Sequence, residues 1–484
     1  MSRPPALALL SSLLLCCGPD ASRRGNTVLF ASGADLQSIN PLFTIHPLAK
    51  QVQRYVLLTT LVRRDSAMAV VPYLARHWTW SEGGRRLTLF LFGGLRWDDG
   101  APTSARDAAW TLAQAADPGT GYPRRGDLAT LSQVTAPDDT TLVLEFSAPQ
   151  GAIPDVLTDL AILPSHLLDT VPPARLRQAS WQRHPVGNGP FRFVRHDPNR
   201  RWVFARNPDF PAELGGPPRL ERLVIAVVDE PMTKLAALTS GELDFAGIQP
   251  AHAAYVARNP ELMVRDYPLL FTTGIIFNAR RPPFADLAAR RRVAQAIDRQ
   301  AVVDGFAYGF GTVAEGPVPP ELERPADGRR PTADGAQPTA DSRQPIAGSR
   351  QPPLAFELLT VGSGEAALEQ MLQAQLARAG MTVRIRQLEL SAFLDRVYGS
   401  RPEFDAAVLG TPGDFDLGYL RPLAELSGLK PPAGLGALER FFRDSLPATF
   451  LYHARGLQGV NRRVRGVGLG LRGELATVAG WSVQ

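Results

Sequence analysis

The chain shows local alternation of apolar and polar positions in some stretches and helical spacing in others. Leu87, Leu89 and Leu91 are separated by Thr88 and Phe90 and lead toward Asp98-Asp99-Gly100, a pattern that predicts a half-buried strand running toward a turn. Ser104 with Asp107 three residues on predicts a helix N-terminus, because the hydroxyl and the carboxylate can satisfy the first unpaired N–H groups. That helix runs through Trp110 and Leu112 to a stop at Asp117-Pro118-Gly119. Residues 22–75 read as strands mixed with one amphipathic segment over 48–61. Leu223 to Val228 is a continuous apolar strand. A helix from Met232 to Thr239 follows, ended by Gly241, and Leu243 to Ile248 returns as a strand, which makes a βαβ unit. A later stretch repeats the theme. Leu368, Leu372 and Leu376 recur at helical spacing with Met371 beside them, Gly380 is a C-cap, and Val383, Ile385, Leu388 and Leu390 read as a strand. Two separated α/β stretches predict two lobes rather than one long core.

One segment fits neither lobe. Pro331, Pro338, Pro345 and Pro352 fall at a fixed spacing inside a degenerate tandem repeat, RRPTADG, AQPTADS, RQPIAGS, RQPP. Proline at that spacing forbids a continuous helix, and large apolar residues are almost absent, so residues 323–353 are expected to form a disordered surface loop.

The N-terminus reads Met-Ser-Arg, then an apolar run over residues 6–15, then Cys16-Cys17-Gly18. A basic start and a short apolar run are the architecture of an export signal and are too short to span a bilayer comfortably. The only cysteines close this run, where adjacent thiols pair poorly with each other. A lipoprotein signal over residues 1–17, with Cys17 as the lipidated residue, explains them, and a plain secretory leader is the alternative. Either reading exports the chain to the periplasm or cell surface.

Composition narrows the function by exclusion. The 484 residues are 44% hydrophobic and 20% charged, with a net charge of +5, which is ordinary globular composition. The cations are arginines apart from Lys50, Lys234 and Lys430, and they are scattered among acids rather than clustered as a nucleic-acid footprint would be. There is no Gly-x-Ser-x-Gly and no His-Glu-x-x-His, and the histidines at 46, 77, 166, 184, 196, 252 and 453 lack metal-ligand spacing. Gly468, Gly470 and Gly473 match Gly-x-Gly-x-x-Gly, but too close to the C-terminus for the helix and acidic partner that a dinucleotide site needs. Asp98 and Asp99 read as turn residues. No catalytic residue, metal site or cofactor site is therefore expected.

Several stretches in order resemble the family 5 extracellular solute-binding proteins, the group of ABC importers that takes peptides and nickel. They are PYLARHWTWSEGGRRLTLFLFGGLRWDDGAPTSARDAAWTL from Pro72, VGNGPFRF from Val186, ARNPDF from Ala205, LAALTSGELDFAGI from Leu235, FNARRPPFADLAARRRVAQAIDRQAVV from Phe277 and LYHARGLQGVNRRVRGV from Leu451. Together they cover most of the chain. Trp78 and Trp80 are expected in the core, and Asn188 between Gly187 and Gly189 in a tight turn near the crossing between lobes.

The resemblance implies an α/β, two-lobe periplasmic-binding-protein-like fold with an extra subdomain in lobe 1. Lobe 1 would span 27–270, with the inserted subdomain at about 73–185, lobe 2 would span 275–450, and 451–484 would return to lobe 1. Ligand in the cleft would favour the closed state, because only there do both lobes touch it. The implied function is delivery of short peptides, or similar amine-bearing solutes, to the membrane subunits of an ABC importer by a monomer held to the membrane through its lipid anchor. The resemblance also implies that an acid of the second lobe pairs with the peptide α-ammonium. The matching stretch is LGTPGDFDLGYL from Leu409, and the matching acid is Asp414, which equally fits a turn acid beside Gly413. Thr411 stands where the family commonly has a Trp, and the stretch from 416 to 451 is shorter than usual. Phe415, Phe43 and Tyr55 are aromatic candidates for the cleft wall. The alternatives are a pocket-degenerate, lipid-anchored sensor or scaffold, or a binder of nickel chelates, haem, sugars or opines.

Overall fold

The computed structural model describes residues 25–36, 38–44, 46–322, 353–362, 364–413, 417–432 and 435–484. Residues 1–17, where an export signal ending at Cys17 is expected, and residues 323–352 of the proline repeat lie outside the described residues.

One mixed sheet runs through the molecule. Its strands lie in the order Met381–Leu388, Leu354–Val361, Ala406–Pro412, Leu262–Phe277, Ala448–Asn461, Phe245–Gly247, Thr27–Ser32, Arg222–Val227, Arg201–Arg206, Phe191–Asp197, with Gly311–Val313 added on Ala448–Asn461. The βαβ unit is present. Arg222–Val227 and Phe245–Gly247 both lie parallel to Thr27–Ser32, one on each side of it. The intervening helix Pro231–Thr239 starts with proline at its first position and is capped by the Glu230 carboxylate, which accepts from Met232 N at 2.9 Å.

Two long antiparallel strands join the lobes. Residues 262–268 pair with 455–461 in the first lobe, and 272–276 pair with 448–453 in the second. At about 3.3 Å per residue, the 16 residues of Leu262–Phe277 reach about 50 Å, far enough to serve both lobes. The register breaks between Pro268 and Thr272. Pro268 has no N–H for the ladder, and such irregularities bend and twist a strand locally.

Each half of the sheet is buried on both faces, and the period-two rule shows it. In the second lobe Ile275, Leu358 and Ala406 enter one apolar cluster, and their neighbours Ile276, Leu359 and Ala407 enter another. Helix Ala367–Arg378 covers the first cluster through Leu368, Leu372 and Leu376, and its chain reverses at Gly380 with φ of 73°. Helices Leu390–Tyr398, Leu420–Leu426 and Leu435–Ser445 cover the second. In the first lobe Phe30 and Phe245 face a large cluster, while Ala31 and Ala246 face a small one under Leu235 and Leu238.

The segment over 73–185 packs into that large cluster. Its four strands, in the order Ala75–Ser81, Arg86–Leu91, Thr141–Phe146, Leu131–Thr135, contribute Leu87, Leu89, Leu142 and Leu144. Leu87, Leu89 and Leu91 are the buried positions of their strand, as their alternation predicts. The helix predicted after Ser104 is Ala105–Ala116 with a capping box. Asp107 accepts from Ser104 N at 2.9 Å and also from Ser165 N at 2.9 Å and Ser165 Oγ at 2.6 Å, so the cap fastens a second helix start. The C-terminal tail completes the core. Phe245 stacks between Phe30 at 5.0 Å and Trp481 at 5.1 Å. Asp244 takes two 2.7 Å hydrogen bonds from Arg463, which fixes the tail's approach to the sheet.

Three local expectations change. Leu390 begins a helix rather than ending a strand, because the Glu389 carboxylate caps Ser391 N at 3.0 Å. Trp78 and Trp80 are half-buried, because their strand is an edge of the four-stranded sheet. Asn188 is fully buried, but it serves the first lobe. Its side chain accepts from Thr59 N at 3.0 Å, and Gly189 N donates to Leu57 O at 2.8 Å. A Cβ at Gly187 or Gly189 would collide with the Leu57 backbone, which explains the glycines on either side.

Candidate functional site

The stretch singled out around Thr411 lies at the crossing between lobes. Ala406–Pro412 pairs antiparallel with Leu262–Phe277, which sets Thr411 opposite Thr272 and Pro412 opposite Phe271. Gly413 N donates to Leu270 O at 2.7 Å. The Phe271 ring lies over Gly410, where a side chain would overlap it, and the ring stays 37% exposed. An aromatic ring open to solvent at a strand crossing is a surface on which a solute group can lie. Tyr419 packs against Gly413 and donates its hydroxyl to Pro317 O at 2.7 Å.

His453 sits inside the crossing. It is buried, and its Nδ1 lies 2.9 Å from Thr272 Oγ1. Burial pushes its pKa down to about 4, so the ring is neutral at neutral pH. On the first-lobe side Arg455 pairs with Asp266 at 2.6 Å. The tail also reaches this side. Glu474 accepts from the Tyr267 hydroxyl and from Gln51, and Gln51 in turn accepts from Leu475 N at 2.9 Å. Burial and then the Glu474 carboxylate raise the Tyr267 phenol, which stays protonated and donating.

The remaining candidates are dispersed. Asp414, Phe415 and the neighbouring Asp416 lie outside the described residues, directly after Gly413 in the chain. Phe43 is half-buried under the Arg177 guanidinium, 4.3 Å from the ring centre. Tyr55 is half-buried beside Arg54 and borders a cavity within the first lobe. Phe271, Tyr419 and His453 were not among the candidates: cross-strand register brings Phe271 and His453 to Thr411, and Tyr419 packs back on Gly413 from the same stretch of chain. Among the described residues, no group of His, Cys, Asp or Glu is arranged to hold a metal ion, and no helix is long and apolar enough to cross a membrane.

Comparison with known proteins defines the class. Residues 69–419 match the model of the bacterial extracellular solute-binding proteins, family 5. The chain belongs to this family. It is 27% identical over 437 residues to di/tripeptide-binding protein 4 of Pseudomonas aeruginosa, covering 84% of this chain and 79% of that one. It is 29% identical over 221 residues to a Brucella ovis protein named for peptide binding in an ABC transporter, and that match spans 46% of this chain but only 41% of the relative. In fold it resembles the oligopeptide-binding protein AppA of Bacillus subtilis, solved with a nonapeptide, at a TM-score of 0.72 and 20% identity over 95% of this chain and 99% of that one. It also resembles CtaP of Listeria monocytogenes, at a TM-score of 0.77 and 17% identity over 95% and 99%.

Proposed function

We propose that the protein captures short peptides, or similar amine-bearing solutes, between its lobes outside the cytoplasmic membrane and delivers them to an ABC importer, acting by binding rather than catalysis. The observation that carries this reading is the placement of residues 410–413 beside the crossing strand Leu262–Phe277, with Gly413 held to Leu270 at 2.7 Å immediately before Asp414. In this reading Asp414 pairs with the solute ammonium, a charge-assisted contact strengthened when closure excludes water. Thr411, Phe415 and Phe271 form the second-lobe wall, and Phe43 and Tyr55 belong to the first. In this reading a first lobe of 27–270, with its subdomain at 73–185, gives way near the register break at 268–272 to a second lobe of 275–450, and 451–484 returns to the first along a strand whose residues up to 453 still pair in the second. Cys17 carries the lipid anchor that keeps the monomer at the membrane.

Mass spectrometry of solute released from gently denatured protein tests the reading. A ladder of short peptides is expected, whereas a protein with no releasable solute and no thermal shift across a dipeptide library leaves the scaffold alternative. Asp414→Ala should weaken peptides with free N-termini at least about tenfold, the loss expected when a charge-assisted pair is removed, with little change in melting temperature. Unchanged affinity removes Asp414 from the site.

A further inference from the structure

The first lobe contains a cavity of about 130 Å³. Its walls come from residues 54–73, Thr158, Pro190, residues 210–216 and residues 472–479, with none from the crossing strands or the second lobe. Tyr55 is the one residue it shares with the solute site proposed above.

The lining is unusually cationic. Arg54, Arg63, Arg64 and Arg472 converge on it. Behind them Asp159 is shared by Lys50 at 2.9 Å, Arg54 at 2.8 Å and Arg124 at 3.4 Å. Asp155 pairs with Arg64 at 2.6 Å, and Asp127 pairs with Arg124 at 2.6 Å. Among the described residues, six cations thus face three carboxylates, and the nearby Asp65 is occupied in capping Ala67 N and Ala69 N. Arg63 and Arg472 have no carboxylate partner among the described residues. Arg63 lies 4.8 Å over the Tyr73 ring, and Arg472 donates to Arg64 O at 3.3 Å. Arg54 Nε is buried without an acceptor. Arg63 is exposed while Arg54, Arg64 and Arg472 are half-buried, so water screens the excess like charge only in part, and an anion between the guanidinium groups lowers its cost.

We propose that this cavity binds a phosphate-class oxyanion, gripped chiefly by Arg63 and Arg472. Planar guanidinium groups present parallel N–H pairs that match two oxygens of such an anion, while Met68, Phe210 and Leu214 supply an apolar wall. The site lies where the chain enters the first lobe. Asn26 donates to Arg219 O, Arg219 N donates to Ala479 O at 3.2 Å, and Ala479 lines the cavity. At that end of the molecule, the oxyanion is either a free phosphate or a phospholipid headgroup.

Calorimetric titration of the full chain with inorganic phosphate, alongside co-sedimentation with phosphatidylglycerol and phosphatidylcholine vesicles, tests the proposal. Saturable binding of phosphate to one site, or selective binding to the anionic vesicles, is expected. Binding of phosphate points to a soluble ligand, and binding to vesicles alone points to the headgroup. The Arg63→Ala/Arg472→Ala variant should lose about tenfold or more in affinity, and Arg63→Lys/Arg472→Lys, which keeps charge but not the fork, should fall between. The lysine variant carries the test if melting shows that the alanine variant is unfolded. Failure of both ligands to saturate the wild-type chain, or equal affinity in the wild-type and folded alanine or lysine variants, overturns the proposal.

Discussion

The two halves of the shared sheet are buried by different means. In the first lobe one face supports a single large apolar cluster that draws on residues as far apart as Val28 and Trp481, together with a buried charge network around Asp159. In the second lobe two smaller clusters of similar size lie on opposite faces under short helices. The first lobe is thus built from non-local contacts, closed by the C-terminal tail, and the second mainly from neighbouring βα units. Contacts between distant residues must overcome more loop-closure entropy, so the first lobe should be the more sensitive to losing a single distant contact.

The largest effect is expected from Trp481→Ala, which removes the ring stacked on Phe245. It should cost about 3–5 kcal/mol and lower the first lobe's hydrogen-exchange protection throughout. Protection lost only near the tail would break the comparison. Leu372→Ala, in the fully buried helix face of the second lobe, should cost about 2–5 kcal/mol. Its exchange changes should stay within residues 272–454, because Leu451 and Tyr452 pack in the same cluster, and spread further into the first lobe would show that the halves unfold as one.

His453→Gln probes the boundary. The native imidazole binds protons less readily than the unfolded one, so stability is fully present above the ordinary histidine pKa of about 6.5 and is lost as pH falls toward about 4. That acid loss, up to about 3 kcal/mol, should be absent from the variant in denaturant titrations at stepped pH. Arg455→Ala should have the smallest effect, within about 1 kcal/mol, because its ion pair with Asp266 is partly exposed to solvent and so partly screened. A larger change in melting temperature would show that the pair braces the crossing.

Legibility from the sequence followed the range of the interaction. The strand at Leu87–Leu91, the capping box at Ser104 and Asp107 and the βαβ unit before Ile248 depend on residues a few positions apart, and each stands where its pattern places it. Leu390 was misread because an apolar residue after a strand looks like its continuation, and the decisive signal was the cap at Glu389. The tryptophans at 78 and 80 have the composition of core residues, but their depth depends on which strand forms the sheet edge. Thr411 could be singled out through family resemblance, whereas its neighbours Phe271 and His453 come to it from strands distant in sequence.

The register break between Pro268 and Thr272 has a mechanical corollary. A ribbon of two antiparallel strands tethers one body to the other, paired over 262–268 on one side of the break and, with a second register shift after Thr273, over 272–276 on the other. A paired tether resists swivelling about its own length, because swivelling would shear the ladder, but it flexes cheaply where the ladder is already interrupted. In the function proposed above, the two bodies would open and shut like the covers of a book on a spine a few residues thick, and a guest between them would be measured by the angle at which the covers meet.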